Sequence, residues 1–76
     1  MRAEKTFKTL DLYFSAFLAL HGIQPQLQNV NSRVTFAFPV SDDFYQLSDL
    51  FNSNEPVPVA SFITAVKTLR GQMLTL

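Results

Sequence analysis

The chain has 76 residues, with six Lys or Arg, six Asp or Glu, one His and no Cys. This length predicts one domain over residues 1–76, and the lack of cysteine excludes disulfide bonds. A hydrophobic content of 47% with only 16% charged residues excludes a disordered chain. Zero net charge argues against a protein whose whole surface binds nucleic acid. So small a domain buries only about 60% of its unfolded surface, so a tight core or a partner chain must stabilise it.

The N-terminal segment is basic and precedes an apolar run. Arg2, Lys5 and Lys8 stand before the run from residue 10 to residue 20, an arrangement that superficially resembles a secretory signal. Asp11 interrupts the run, which argues against a cleaved signal. Eleven helical residues rise only about 16 Å, too little to cross a bilayer. We therefore expect no membrane interaction and a cytoplasmic protein.

The apolar run predicts the first helix. Thr9 is the expected N-cap, with Asp11 in the first turn near the positive end of the helix dipole. Gly22 is suited to the left-handed position that ends a helix, followed by a hydrophobic contact from Ile23. The helical spacing predicts one shared face for Leu10, Tyr13, Phe14, Phe17, Leu18 and His21. Most of the remaining circumference is also apolar, so this helix needs burial on two sides.

Residues 24–39 predict an antiparallel hairpin with Asn31 and Ser32 at the turn. This register pairs Val30 with Arg33 and Leu27 with Phe36. It also separates the side chains into two faces. The apolar face has Pro25, Leu27, Val34, Phe36 and Phe38, and the polar face has Gln24, Gln26, Gln28, Arg33 and Thr35. Two strands alone are marginally stable, so residues 5–8 or a second chain are candidates for a third strand.

Two further helices are predicted in the C-terminal half. Ser41 is the expected N-cap of the first, with Asp42 and Asp43 in its first turn. Pro58 suits the first turn of the second. The expected buried residues are Phe44, Leu47, Leu50 and Phe51 in one helix and Val59, Phe62, Ile63, Val66, Leu69 and Met73 in the other. The predicted fold class is therefore α+β, with a helix, an antiparallel hairpin and two further helices packed on one sheet face.

Catalytic patterns are missing from the sequence. Nucleophilic catalysis needs a nucleophile beside a base, but the single histidine, His21, stands at a predicted helix end. Asp42 and Asp43 are adjacent on a helix, so they point about 100° apart and cannot clamp one metal ion alone. Gly22 and Gly71 lie too far apart for a phosphate-binding loop. We therefore expect neither an enzyme nor a cofactor.

A nucleic-acid interface is the sharper hypothesis for this sequence. It would join the basic N-terminal segment to the polar face of the hairpin, since a two-stranded ribbon fits a major groove. The candidate contacts are Arg2, Lys5, Lys8, Arg33, Gln26, Gln28 and Thr35. One observation argues against this interface. Phe36 and Phe38 share the apolar face of the hairpin with Leu27, which is typical of a core and not of a platform on which bases stack. An ordinary solvated surface is therefore the favoured interpretation.

Self-association is better supported. The first helix has more apolar circumference than a small sheet covers, and the C-terminal residues add further apolar side chains. Exposed apolar patches of this kind usually mark interfaces. The predicted homodimer interface consists of Leu12, Ala16, Ala19, Leu20, Met73, Leu74 and Leu76.

Several of these motifs together resemble a known family. Thr9-Leu-Asp11 before a helix that ends at Gly22, the strand Phe36-Ala-Phe38, and the basic end of a late helix at Arg70 carry the resemblance. The chain is similar to short prokaryotic and phage-associated proteins catalogued as a domain of unknown function. The resemblance covers nearly the whole chain and implies an α+β architecture and a link to mobile elements. It implies no catalytic residues.

The sequence therefore predicts a non-enzymatic interaction module that forms a homodimer and presents a surface to another macromolecule, such as a protein. The alternative is a nucleic-acid-binding accessory protein that uses the basic segment and the polar hairpin face. A third possibility, a small-ligand pocket between the hairpin and the helices, depends on a cavity in the fold.

Overall fold

A computed structural model describes residues 5–76. Three helices pack on a three-stranded antiparallel sheet, which confirms the predicted α+β class. The elements are β1 (Thr6–Thr9), α1 (Leu12–Leu20), β2 (Gln26–Val30), β3 (Arg33–Pro39), α2 (Asp42–Asn52) and α3 (Val59–Leu74). The strand order is β1-β3-β2, so the N-terminal segment supplies the third strand that the hairpin needed.

The hairpin has the predicted register. Val30 pairs with Arg33 and Leu27 with Phe36, while β2 begins at Gln26, one residue after Pro25. The turn residues Asn31 and Ser32 have φ angles of 53° and 66°. Positive φ at both central residues defines a type I′ turn, whose twist matches that of the flanking strands. Local turn chemistry and the alternation of apolar residues therefore agree on one register.

The start of α1 differs from the prediction. Thr9 belongs to β1, and the N-cap is Asp11, whose carboxylate accepts hydrogen bonds from the backbone N–H groups of Tyr13 and Phe14, both at 3.0 Å. The Thr9 hydroxyl accepts a bond from the Asp11 N–H at 3.1 Å. Asp11 is the N-cap in place of Thr9 because its carboxylate accepts charge-assisted hydrogen bonds from two N–H groups that have no partner within the helix.

The end of α1 is as predicted. Gly22 has a φ of 97°, and its N–H donates to the Ala19 carbonyl at 3.0 Å. The Ile23 N–H donates to the Leu18 carbonyl at 2.9 Å. These two bonds form a Schellman motif, and Ile23 packs against the core as the motif requires.

The burial of α1 is broader than its predicted face. Five consecutive residues, Phe14–Leu18, are buried, including Ser15, whose hydroxyl donates to the Asp11 carbonyl at 2.8 Å. Leu10 and Tyr13 were expected on the buried face but are more than half exposed. Because α2 and α3 both contact α1, the middle of this helix is enclosed within the chain. Its first residues lie outside this enclosure.

The caps of α2 are as predicted, but its buried face is narrower. Ser41 Oγ accepts a bond from the Phe44 N–H at 3.1 Å, with Asp42 and Asp43 in the first turn. Phe44 is buried, whereas Leu50 is 38% exposed, contrary to the prediction. Leu47 and Phe51 are partly buried against the core. Leu50 lies about 100° around the helix from Phe51, away from the sheet.

In α3 the buried face is narrower than the predicted one. Leu69 is the one fully buried residue of this helix, and Phe62, Val66 and Met73 pack against the core as predicted. Val59 and Ile63 were expected to be buried but are 71% and 46% exposed. Both lie at one margin of the predicted stripe, about 60–100° around the helix from Phe62.

The core lies between the sheet and the helices and is rich in phenylalanine. Phe36 and Phe38 of β3 are fully buried beneath Phe44 of α2 and Leu18 of α1. Phe14 packs edge-on against Phe51 with 5.0 Å between ring centroids. Such tilted aromatic pairs add about 0.5–1.5 kcal/mol each beyond the burial of their area.

Candidate binding surface

One face of the sheet is covered by the helices, and the other is not covered by any element in residues 5–76. Phe36 and Phe38 point to the helices, so the residues between them in β3 point the opposite way. We call this second surface the open face. By the strand register it consists of Thr6, Lys8, Gln26, Gln28, Val30, Arg33, Thr35, Ala37 and Pro39.

The open face is polar because of the strand register. Lys8, Ala37 and Gln26 form one row across β1, β3 and β2. Ala37 is only 5% exposed although no helix covers it, which is explained by the long side chains of Lys8 and Gln26 on either side. Gln28 and Thr35 form the next row. A small side chain between two long polar ones makes the centre of the face concave.

A shallow groove of about 490 Å³ follows from this concavity. Its floor includes Ala37, and its two sides are formed by β1 and β2. The lining residues are Lys5, Thr6, Lys8, Gln24, Pro25, Gln26, Gln28, Ala37, Phe38 and Pro39. The groove therefore offers the Lys8 ammonium group on one side and amide groups on the other, a set suited to anions and to carbonyl or amide partners.

Carboxylates are confined to the parts of the described chain outside the strands, whereas cations occur both on the strands and on α3, at Lys67 and Arg70. The three strands and Lys5 carry only cations, namely Lys5, Lys8 and Arg33. The acidic residues of residues 5–76 lie outside the strands: Asp11, Asp42, Asp43, Asp49 and Glu55. Because the strands carry no carboxylate, the open face is locally positive although the chain is neutral.

Most of the predicted nucleic-acid contacts come together in the structure. Lys8, Arg33, Gln26, Gln28 and Thr35 share the open face. Lys5 precedes β1, where its carbonyl accepts a bond from the Val40 N–H at 3.1 Å, and it lines the groove. Arg2 lies outside the described residues. Arg33 and Thr35 stand beyond the groove, toward the turn.

The groove also contains residues that were not among the contacts predicted from the sequence. Thr6, Ala37 and Pro39 belong to the open face, and Gln24 and Pro25 line its end. The alternation within β3 was available in the sequence and predicts the position of Ala37. The place of Thr6 depends on the pairing of β1 with β3, which no local pattern specifies.

The predicted dimer interface is only partly available. Ala16 is completely buried within the chain, so it contributes no surface to a partner. Leu12 and Met73 pack partly against the core, and Ala19 and Leu20 are half-buried. Leu74 and Leu76 are 83% and 53% exposed. The apolar surface of α1 that was expected to need a partner chain is thus covered by α3 of the same chain. The apolar side chains that stay exposed belong mainly to α3.

The other candidate sites have structural roles. His21 is the C-cap of α1, and its ring packs on Phe17 with 4.6 Å between centroids. No three His, Cys, Asp or Glu side chains within residues 5–76 are arranged to hold a metal ion.

Smaller depressions of about 300 Å³ beside His21 and 230 Å³ beside Asp11 flank α2. No helix in the described part of the chain has the length and apolar character needed to span a membrane.

These elements define a class of protein: a small α+β protein with helices on one face of an antiparallel sheet and a polar open face. The chain belongs to the family described as a domain of unknown function, DUF5659, whose model matches residues 4–75. The family resemblance seen in the sequence is thereby confirmed. Neither the curated proteins nor the solved structures include a match to this chain.

Proposed function

We propose that this protein is a non-enzymatic interaction module that acts as a homodimer in the cytoplasm and presents the open face to another macromolecule. The observation that carries the proposal is the convergence of cations and amides on one surface that no described element covers. Lys8, Gln26 and Gln28 surround the groove, and the strands contribute no carboxylate to it. Polar groups in such an arrangement give orientation and specificity to a binding partner.

The homodimer part of the proposal rests on apolar surface outside the core. Val59, Ile63 and Leu74 of α3 are exposed, as is Leu76 after it. Removal of such side chains from water favours association. A solution mass of one chain throughout the micromolar range would contradict this part.

The open face is tested by exchanging its two cations for neutral side chains. The Lys8→Gln and Arg33→Gln double variant is expected to lose at least about 90% of the partner captured from a lysate of the native cell, because charge pairs at an interface guide and stabilise binding. The readout is quantitative mass spectrometry of captured material, with and without nuclease treatment.

The matched control is the Gln46→Glu and Thr68→Glu double variant. It changes the net charge by the same amount, at exposed positions of α2 and α3. This control should capture the partner as the unmodified protein does. An equal loss of captured partner in both variants would show that net charge, and not the open face, causes the loss. Unchanged capture by the open-face variant would contradict the proposed surface.

A nucleic-acid strand is the second candidate partner, favoured by strands that carry cations and no carboxylate. Lys8 lies on one side of the groove, where phosphates would lie, and the amides of Gln26 and Gln28 would meet base edges or sugars. If the partner is a nucleic acid, the proposed role is that of an accessory protein of a phage or other mobile element.

Binding of a labelled single-stranded oligonucleotide tests that candidate. Two to three phosphate contacts predict that affinity falls about tenfold between 50 and 200 mM salt. The Lys8→Gln and Arg33→Gln variant should show a shallower salt dependence. No retention of DNA or RNA at low salt would exclude this candidate and leave a protein partner.

A further inference from the structure

The two edges of the sheet differ in how they are protected. The order β1-β3-β2 leaves β1 and β2 at the edges. β1 carries Lys8 and is preceded by Lys5, whereas β2 has the uncharged sequence Gln26-Leu-Gln-Asn-Val30. Its register with β3 runs without a bulge. Proteins normally protect a free edge with charges, prolines or bulges. The edge of β2 has none of these within the strand.

The free hydrogen-bonding groups of β2 can be assigned from the hairpin. In a two-residue type I′ hairpin, the pair next to the turn, Val30 and Arg33, exchanges both backbone hydrogen bonds. Hydrogen-bonded pairs alternate along the ladder, so Leu27 and Asn29 direct their N–H and C=O groups away from β3. No backbone bond from another described segment reaches these groups.

The helices cover the two edge strands differently. Phe7 of β1 packs against Phe44 of α2 and Phe14 of α1, with 5.3 Å and 5.9 Å between ring centroids. On β2 the side chain packed against the core is Leu27. α3 contacts α1, and its residues Val59 and Ile63 are exposed.

We propose that β2 pairs antiparallel with β2 of a second copy, around a two-fold axis at Gln28. This inference rests on the homodimer part of the proposed function and specifies its interface. Leu27 then faces the partner's Asn29, and Asn29 faces the partner's Leu27. Each pair exchanges two hydrogen bonds, so all the outward groups of both residues are used.

A second copy fits this edge because the strand is complementary to itself. No charge lies on β2, so no like charges meet across the axis. On the open face Gln28 faces the partner's Gln28, and two amides can donate to and accept from each other. The product is a six-stranded sheet whose open faces join into one surface with two basic grooves.

Cross-linking at the two-fold axis tests the register. Gln28 is a non-hydrogen-bonded self-pair with an expected Cα–Cα distance of about 4.5 Å, which lies within the range of a disulfide. The chain has no cysteine of its own, so Gln28→Cys introduces a single thiol. Mild oxidation at micromolar concentration is expected to give a covalent dimer at least about tenfold faster than in Thr6→Cys. That control places the thiol on the same face at the other edge.

A second variant removes the free N–H group. Asn29→Pro leaves the ladder with β3 intact, because the Asn29 N–H points outward, and edge strands accept proline there. Sedimentation equilibrium should show at least a tenfold weaker dimer, with circular dichroism reporting a retained fold. If this variant unfolds, the comparison of cross-linking rates between Gln28→Cys and Thr6→Cys still tests the proposed interface.

The outcomes separate this inference from the proposed function. A dimer in solution whose Gln28→Cys variant cross-links no faster than Thr6→Cys overturns the β2 interface and leaves the homodimer intact. A monomeric protein at all concentrations overturns both.

Discussion

Leu69→Ala is expected to lower the free energy of unfolding by about 2–5 kcal/mol. Leu69 is 1% exposed and is the one residue of α3 that is fully enclosed by the core. A chain of this length has a total stability of about 4–11 kcal/mol, so this substitution removes a large part of it. Urea unfolding followed by circular dichroism, at one fixed protein concentration, measures the difference.

Ile63→Ala is the matched control for Leu69→Ala. Both residues belong to the apolar pattern of α3, but Ile63 is 46% exposed. At a protein concentration low enough to exclude a dimer, its substitution should change the stability by no more than about 0.5 kcal/mol. The sequence pattern assigned both residues to the buried face, so equal losses would support that assignment and contradict the narrower buried face of the structure.

Phe36→Ala is expected to lower the free energy of unfolding by about 3–5 kcal/mol, a large part of the total stability. Phe36 is fully buried at the centre of the sheet, where it faces both Leu27 of β2 and Thr9 of β1. Its removal leaves a cavity between the sheet and the helices that the central strand cannot close. Thermal unfolding measured by circular dichroism gives the loss.

The neighbouring position provides the control for this substitution. Thr35 lies beside Phe36 in β3 but points to the open face. Thr35→Ala is expected to cost no more than about 1 kcal/mol, mainly through the lower strand preference of alanine. A loss comparable to that of Phe36→Ala would show that the helices do not cover the face assigned to the core.

Substitutions in the core and on the open face are expected to have different effects. Substitutions of core residues act on folding, and substitutions of Lys8 and Arg33 should leave folding intact because both side chains are exposed. Binding assays of open-face variants are therefore interpretable once their unfolding curves coincide with that of the unmodified protein.

Local patterns in the sequence were enough to predict much of this fold. The Asn31-Ser32 turn, the cap at Ser41 and the helix stop at Gly22 are each made by residues close in the chain. The alternation of apolar and polar residues in β3 likewise predicts its two faces, because a slip of one residue would expose Phe36 and Phe38. These features depend on local backbone geometry and on the spacing of apolar residues along the chain, so the sequence alone determines them.

Only the tertiary structure decided which apolar residues are covered. Several sides of α1, α2 and α3 are apolar enough to be buried, and the pattern could not say which side meets a neighbour. Packing of α3 on α1 encloses Ala16 and leaves Val59 and Ile63 outside. The open face depends in the same way on the pairing of β1 with β3, which brings Lys8 beside Ala37. Contacts between segments distant in the chain have no local signal, and they decide which polar and apolar side chains stay exposed.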